Sequence, residues 1–439
     1  MPYPGSASCA ASPARIRQSK SARKLPPARH GTSPATTLWL CFAVLGACAS
    51  NQPVRQPQSN AQLLAARQTS DAYTAGQLNA ATAQLLRRVK GEYDDFAAGR
   101  VPAPPVVNML ILSGGGDWGA FGAGFLKGWK RVPAGPLGEP QFDVVTGVST
   151  GALIAPFAFL GDDASIDAIV NLYRKPDSDL VKRRSWFSLL RGSSSFAQVP
   201  GLERAVGNAL DMERLSRIAD EGAQGRQLWV NLTNVDTQEM HVWNIVEEAR
   251  RAVQSGDTDR VEQILLGSAA VPGVFPPREI DGVLYIDGGL TGNILIGGPQ
   301  AHADRETVLA RWLTAYPQVP LPRIRYWIIF NNKVRWPPEV VPPKMGAVLS
   351  ASMTASTRSA TINCMRLLIL QAELARLKNH ADIEVRIVAV PDNWVAPKPG
   401  SFVPETMNAL ADLGEKMGAD PASWRTSIPE EAEASAADP

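Results

Sequence analysis

Val106–Ser113, "VVNMLILS", is an unbroken apolar run of strand length, and "FDVVTG" (142–147) is a second. Short runs without polar alternation predict strands buried on both faces, as in a mostly parallel sheet. Each run is followed by small and apolar residues, "GGGDWGAFGAGFLKGWKRV" and "STGALIAPFAFLG". Both predict helices packed close to their strands. Strand, turn and helix, repeated, predict a doubly wound α/β domain. Later apolar runs predict strands at 227–235, 239–245, 283–287, 323–331 and 384–390. Helical spacing predicts helices at 260–270, 345–379 and 404–417.

The flanks differ in pattern. Alanine, leucine and glutamine at helical spacing over 61–98 predict one or two helices, and Pro102, Pro104 and Pro105 mark a boundary after them. Residues 1–48 read as an address: Arg15, Arg17, Lys20, Arg23, Lys24 and Arg29 precede the apolar run Leu38–Ala47. That run is too short to span a bilayer and suits a signal segment. It ends in Leu45-Gly46-Ala47-Cys48, which resembles a bacterial lipobox. The resemblance implies cleavage before Cys48, acylation of its thiol and attachment to a membrane. Ala49, rather than aspartate, follows the cysteine. By analogy with lipoprotein sorting, the expected location is the bacterial cell envelope, at the outer membrane facing the periplasm. Residues 49–105 then form a polar tether and a helical segment, 106–420 the main domain, and 421–439 a small, acidic tail expected to be disordered.

Composition narrows the function. The 439 residues are 45% hydrophobic and 20% charged with a net charge of +2, so bulk electrostatics make no case for nucleic acid. Cys9, Cys41, Cys48 and Cys364 match no metal spacing and no disulfide framework. No His/Asp/Glu cluster has ligand spacing, and neither metal nor cofactor is expected.

Three short motifs carry candidate chemistry. Gly147-Val148-Ser149-Thr150-Gly151 is a G-x-S-x-G between a predicted strand and a predicted helix. Such a turn lifts a hydroxyl clear of flanking side chains. The plainer reading is a strand-to-helix corner. Gly114-Gly115-Gly116 follows the first strand, where consecutive N–H groups can hold an oxyanion. Close helix–strand packing would also use glycines. The spacing of Gly119, Gly122 and Gly124 does not give G-x-G-x-x-G, and no G-K-[ST] follows, so nucleotide loops are excluded. Asp287-Gly288-Gly289 ends a predicted strand, and its aspartate can reach a neighbouring loop or simply make a turn. All three are expected at carboxyl ends of parallel or near-parallel strands, where open α/β sheets place their sites.

The order glycine nest, serine, aspartate resembles the patatin-like phospholipase family. "ILLGSAAVPGVFPPREIDGVLYIDGGLTGN" is similar to the family's segment leading into its aspartate, and "FVPETMNALADLGEKMGAD" to its C-terminal helix. The resemblance spans Val106 to Asp420, and the lipobox places it in a bacterial lipoprotein branch. It implies a three-layer α/β/α fold with a mostly parallel central sheet. It implies a Ser149–Asp287 dyad with Gly114, Gly115 and Gly116 as oxyanion hole and Gly147 and Gly151 shaping the elbow. The activity implied is carboxylic-ester hydrolysis of a lipid through an acyl-enzyme. The ester can be a phospholipid, a lysophospholipid, a neutral lipid or a small soluble ester.

One position departs from the pattern. Many family members carry a basic residue in this loop, and here Trp118 follows Asp117. That keeps a catalytically weak scaffold open as an alternative. The enzyme rival is a Ser-Asp-His triad using His302 or His380, since His241, His302 and His380 follow the serine. Asp143 is read as a strand-start hydrogen bonder. Residues 181–196, "VKRRSWFSLLRGSSSF", mix cations with aromatics and are read as a surface loop or a lid.

Overall fold

A computed structural model describes residues 58–177, 179–183, 195, 197–296 and 308–429. In chain order the elements are α1 (Asn60–Ala97), β1 (Val106–Leu112), α2 (Gly119–Trp129), β2 (Val144–Val148), α3 (Thr150–Leu160), α4 (Asp163–Arg174), β3 (Lys182–Arg183) and β4 (Ala197–Gln198). Then come α5 (Pro200–Ala209), α6 (Met212–Ala223), β5 (Gln227–Asn234), β6 (Glu239–Asn244), α7 (Ile245–Ser255), α8 (Asp259–Ser268), β7 (Arg278–Ile280), β8 (Val283–Asp287) and the single turn α9 (Gly289–Gly292). The last are α10 (Val308–Ala315), β9 (Arg323–Lys333), α11 (Met345–Asn379), β10 (Ile383–Val390) and α12 (Pro404–Gly418).

β10, β9, β1, β2 and β5 are consecutive parallel neighbours. Alternate residues of these strands enter different cores. Leu110, Val145 and Val230 join a large cluster with α2, α3, α4 and α12, whereas Val107, Val144 and Trp229 pack under α1 and α10. Ile111, Ile328 and Ile387 face α11 through Met365 and Leu368. Helices therefore cover both faces, giving the α/β/α layering and the mostly parallel sheet that the apolar runs predict.

The far side of β5 is antiparallel, and its register matters for the site. β6 pairs with Trp229–Asn234 of β5. β2 pairs with Gln227–Asn231 of β5, and β8 with Leu232–Asn234. Because β6 overlaps both, β2 and β8 must share the opposite edge of β5. β2 climbs that lane and stops at Val148, opposite Asn231; β8 descends it and stops at Asp287, opposite Leu232. The two strands meet end to end. The sequence reading of Asp287 on a parallel or near-parallel strand is corrected here: β8 runs antiparallel to β5.

α2 and α12 lie unusually close. A Cβ at Gly124 would fall 2.1 Å from the Ala411 carbonyl oxygen, and one at Gly414 would fall 2.1 Å from that of Phe121. Glycine on each helix lets the backbones touch, so α2 is pressed tightly against its neighbours. α1 is a single helix started by a capping box in which Ser59 and Gln62 satisfy each other's backbone N–H. It docks through Arg88, which pairs with Asp143. Asp143 Oδ2 also accepts from the Asn108 N–H at 2.6 Å, so it binds β1 to the start of β2 as read from the sequence.

The chain beyond Asp420 does not follow its polar composition. Residues Pro421–Ser423 form a 3-10 turn, and Trp424 lies among Phe125, Trp129 and Trp327 at centroid distances of 5.0, 4.7 and 5.0 Å. Arg425 exchanges backbone hydrogen bonds with Ile387 at the edge of β10, and Ile428 is fully buried on the α11 side. The segment thus wraps the sheet edge from one face to the other. Two apolar anchors, Trp424 and Ile428, outweigh the polarity of the residues between them, which is why composition places the boundary too early. Residues 430–439, like the proposed signal segment, Cys48 and most of the tether, lie outside the described residues.

Trp424→Ala is expected to cost about 3–5 kcal/mol, because a large aromatic leaves a packed cluster. Urea denaturation of the two proteins checks it.

Candidate active site

Ser149 occupies the single-residue turn between β2 and α3 with φ 54° and ψ −125°, a positive-φ conformation that is strained for a residue with a side chain. The flanking glycines explain themselves by contact. A Cβ on Gly147 would sit 2.4 Å from the Gly151 carbonyl oxygen, and a Cβ on Gly151 would sit 2.3 Å from that of Leu112. The strand leaving and the helix arriving touch, and only glycine fits both sides. Ser268, at the end of α8, holds the turn. Its hydroxyl accepts the Ser149 backbone N–H at 2.9 Å and donates to the Asn231 carbonyl at 2.7 Å. Ser268 lies within the sequence "LLGSAAVPG", but nothing in that run singled it out.

The end-to-end strands deliver the second group. Ser149 Oγ donates to Asp287 Oδ2 at 2.6 Å, and both residues are buried. Asp287 Oδ1 accepts the Gly289 N–H at 2.7 Å, which fixes the carboxylate plane. The Asp287 backbone is itself pinned, its N–H to Ala270 and its carbonyl by Thr233. Burial pushes the Asp287 carboxyl up to about 6, against the lowering pull of the Ser149 hydroxyl and the Gly289 N–H. A base with that proton affinity is better matched to a neutral-pH reaction than an unperturbed aspartate.

The glycine loop lies beside this pair. Gly114, Gly115 and Gly116 line the same cleft as Ser149 and Asp287. Their roles differ. Gly114 spends its N–H on the Asn293 carbonyl at 3.2 Å, so it is not a donor to the cleft; this corrects its place in the expected oxyanion hole. It is glycine because a Cβ there would meet Asn293 Oδ1 at 2.3 Å and Ser149 Cβ at 3.0 Å. The N–H groups of Gly115 and Gly116 have no acceptor among the described residues. Asp117 is buried and accepts the Phe402 N–H at 2.7 Å, tying the loop to the chain before α12. Trp118 packs against Trp336 and Trp394 at 5.1 and 5.4 Å.

Two spaces open from Ser149. A cavity of about 940 Å³ is lined by Leu153, Leu172, Leu202, Val274, Phe275 and Met407 among others. A smaller cleft of about 220 Å³ holds Asp287, Asn332, Thr357 and Arg358. No histidine among the described residues lines either space. His241 is buried on β6, bonded to Ser70 at 2.8 Å, and its imidazole is held neutral by burial, which lowers it to about 4. His380 caps the end of α11 in the left-handed region, and His302 lies outside the described residues. Of the candidate lid 181–196, residues 184–194 and 196 lie outside the described residues, and the adjoining Leu180, Val181 and Ala197 line the larger cavity.

Residues 110–298 match the family model described as patatin-like phospholipase. A matching solved structure is the crystal structure of VipD from Legionella pneumophila, at 13% identity and a TM-score of 0.32 over 74% of this chain and 68% of that one. No curated protein matches.

Asp287 carries a folded pKa above its unfolded value. Its contribution to stability is therefore complete below about pH 4 and lost as pH rises through about 6. Asp287→Asn keeps an acceptor for Gly289 and removes the buried charge. It is expected to be more stable than the parent by on the order of 2 kcal/mol at pH 8, with the gap closing toward pH 4. Denaturant titrations at both pH values measure this.

Proposed function

With a patatin-like phospholipase domain over residues 110–298 as premise, we propose that this chain is a serine-dependent lipid acyl hydrolase working through a Ser149–Asp287 dyad. The observation that supports it is the 2.6 Å hydrogen bond between Ser149 Oγ and Asp287 Oδ2 at the wall of an apolar cavity of about 940 Å³. A buried alcohol bonded to a raised-pKa carboxylate is a nucleophile with its base in place.

In this reading the substrate's acyl chain lies along Leu153, Leu172, Val274 and Phe275. Asp287 takes the Ser149 proton as Oγ bonds to the ester carbonyl carbon. The carbonyl oxygen becomes an oxyanion, received by the N–H groups of Gly115 and Gly116. Collapse of the tetrahedral species breaks the bond to the leaving alkoxide, which takes the proton from Asp287 and departs as alcohol. Water, deprotonated by the same carboxylate, then attacks the acyl-serine; the bond to Oγ breaks, Asp287 returns the proton to it, and the fatty acid leaves with the Ser149 hydroxyl restored. The N-terminus of α3 begins at Thr150, so its dipole adds to the stabilisation of negative charge above the serine.

We also propose acylation of Cys48 as the anchor that holds the enzyme at a bacterial membrane, on the strength of the lipobox-like Leu45-Gly46-Ala47-Cys48. An anchor raises the effective concentration of lipid at the cavity. Cys48→Ser is expected to move the protein from the membrane fraction to the soluble fraction of a bacterial lysate; an unchanged distribution sinks this part.

The catalytic claim is tested with nitrophenyl esters. Ser149→Ala is expected to remove activity and labelling by a fluorophosphonate. Asp287→Asn lowers kcat by about 10²–10⁴, the range for loss of a general base. In the parent, kcat/KM should rise with pH through about 6, where Asp287 ionises, and then level off. A parent protein that neither turns over nor takes the probe is a scaffold, and retained activity in Asp287→Asn refutes the dyad.

A further inference from the structure

The loop after β1 brings no cation to the site, because Trp118 fills the position and packs against Trp336 and edge-on against Trp394. A cation reaches the same place from another element. Met353, Thr354, Thr357 and Arg358 occupy one face of α11 and line the small cleft together with Gly115, Gly116, Ser149 and Asp287. Arg358 is the one cationic side chain among the described residues that line either space at Ser149.

Its bonding is incomplete. Arg358 Nη1 donates to the Val334 carbonyl at 3.0 Å, which orients the side chain. The Nε N–H is enclosed and has no acceptor among the described residues. No carboxylate among the described residues pairs with it; Asp287 is committed to Ser149 and Gly289. A guanidinium that lines a cleft, anchored through Nη1 and with no acceptor for Nη2 among the described residues, can meet an oxyanion along its Nη edge.

The two spaces give the ligand its orientation. Gly116, Ser149, Val271 and Thr354 line both, so the cavity and the cleft are continuous across the nucleophile. An ester with its acyl chain in the apolar cavity places its leaving alcohol in the cleft. We propose that Arg358 is a specificity-determining residue that binds the phosphodiester of a glycerophospholipid on the leaving-group side of Ser149. This rests on the dyad reading above and adds a choice of substrate to it.

The test uses the full chain with two soluble substrates of equal acyl length, dihexanoyl phosphatidylcholine and nitrophenyl hexanoate. Arg358→Gln should lower the ratio of their kcat/KM values about 30-fold, mainly through a higher KM for the phospholipid, the scale of one lost charge-assisted contact. Arg358→Lys keeps the charge without the two-pronged geometry and should fall between. Melting curves within a few degrees of the parent show that each variant folds, and the lysine variant carries the test if the glutamine one does not. An unchanged ratio overturns the proposal, whether both activities fall together or neither moves. A parent that cleaves the nitrophenyl ester and leaves the phospholipid intact overturns it as well, with the dyad standing. A parent inactive on both removes the dyad reading beneath it.

Discussion

The bond from Ser149 to Asp287 exists because two strands end nose to nose along one edge of β5. β2 is parallel to β5 and β8 is antiparallel, and each stops at the neighbouring rung, Asn231 and Leu232. The ladder hydrogen bonds of β5 therefore act as a ruler. They place an alcohol from one end of the chain's core and a carboxylate 138 residues further on within contact. The other features serve that meeting. Gly289 turns the carboxylate, Ser268 clamps the elbow, and Gly114 clears space beside the serine.

The site also concentrates strain where the fold can hold it. A positive-φ serine costs on the order of 1–3 kcal/mol and persists only when its surroundings over-determine it. Here the surroundings are specific. Gly147 and Gly151 interlock by backbone contact, Ser268 ties Ser149 to β5, and Gly124 and Gly414 let α2 and α12 seat against each other without side chains between them. Asp287 adds a second cost, since its carboxylate is buried and no cation among the described residues pairs with it. Together these terms describe a centre that the surrounding sheet and helices must stabilise.

Much of this was legible in the residues. The apolar runs that form β1, β5, β9 and β10 mark themselves by length and lack of alternation, and 345–379 forms a single helix with the predicted bounds. G-x-S-x-G and D-G-G marked the two side chains that meet, Ser149 and Asp287, because each sits where the backbone needs glycine beside it. What could not be read was pairing. Antiparallel β8 is indistinguishable from a parallel strand in five residues, and only its partners on β5 reveal its direction. Ser268 and Arg358 sit in ordinary helical sequence and gain significance from what they face. Trp424 and Ile428 hide in a polar segment because two well-placed apolar side chains are enough to fix it.

A strand can shift against its neighbour only by whole residues. Moving β8 one rung along β5 would send the Asp287 side chain to the opposite face of the sheet, and moving it two would carry it about 7 Å away. Neither displacement leaves a weakened version of the centre. A slipped strand consequently separates Ser149 from Asp287 outright, with no intermediate geometry between contact and loss.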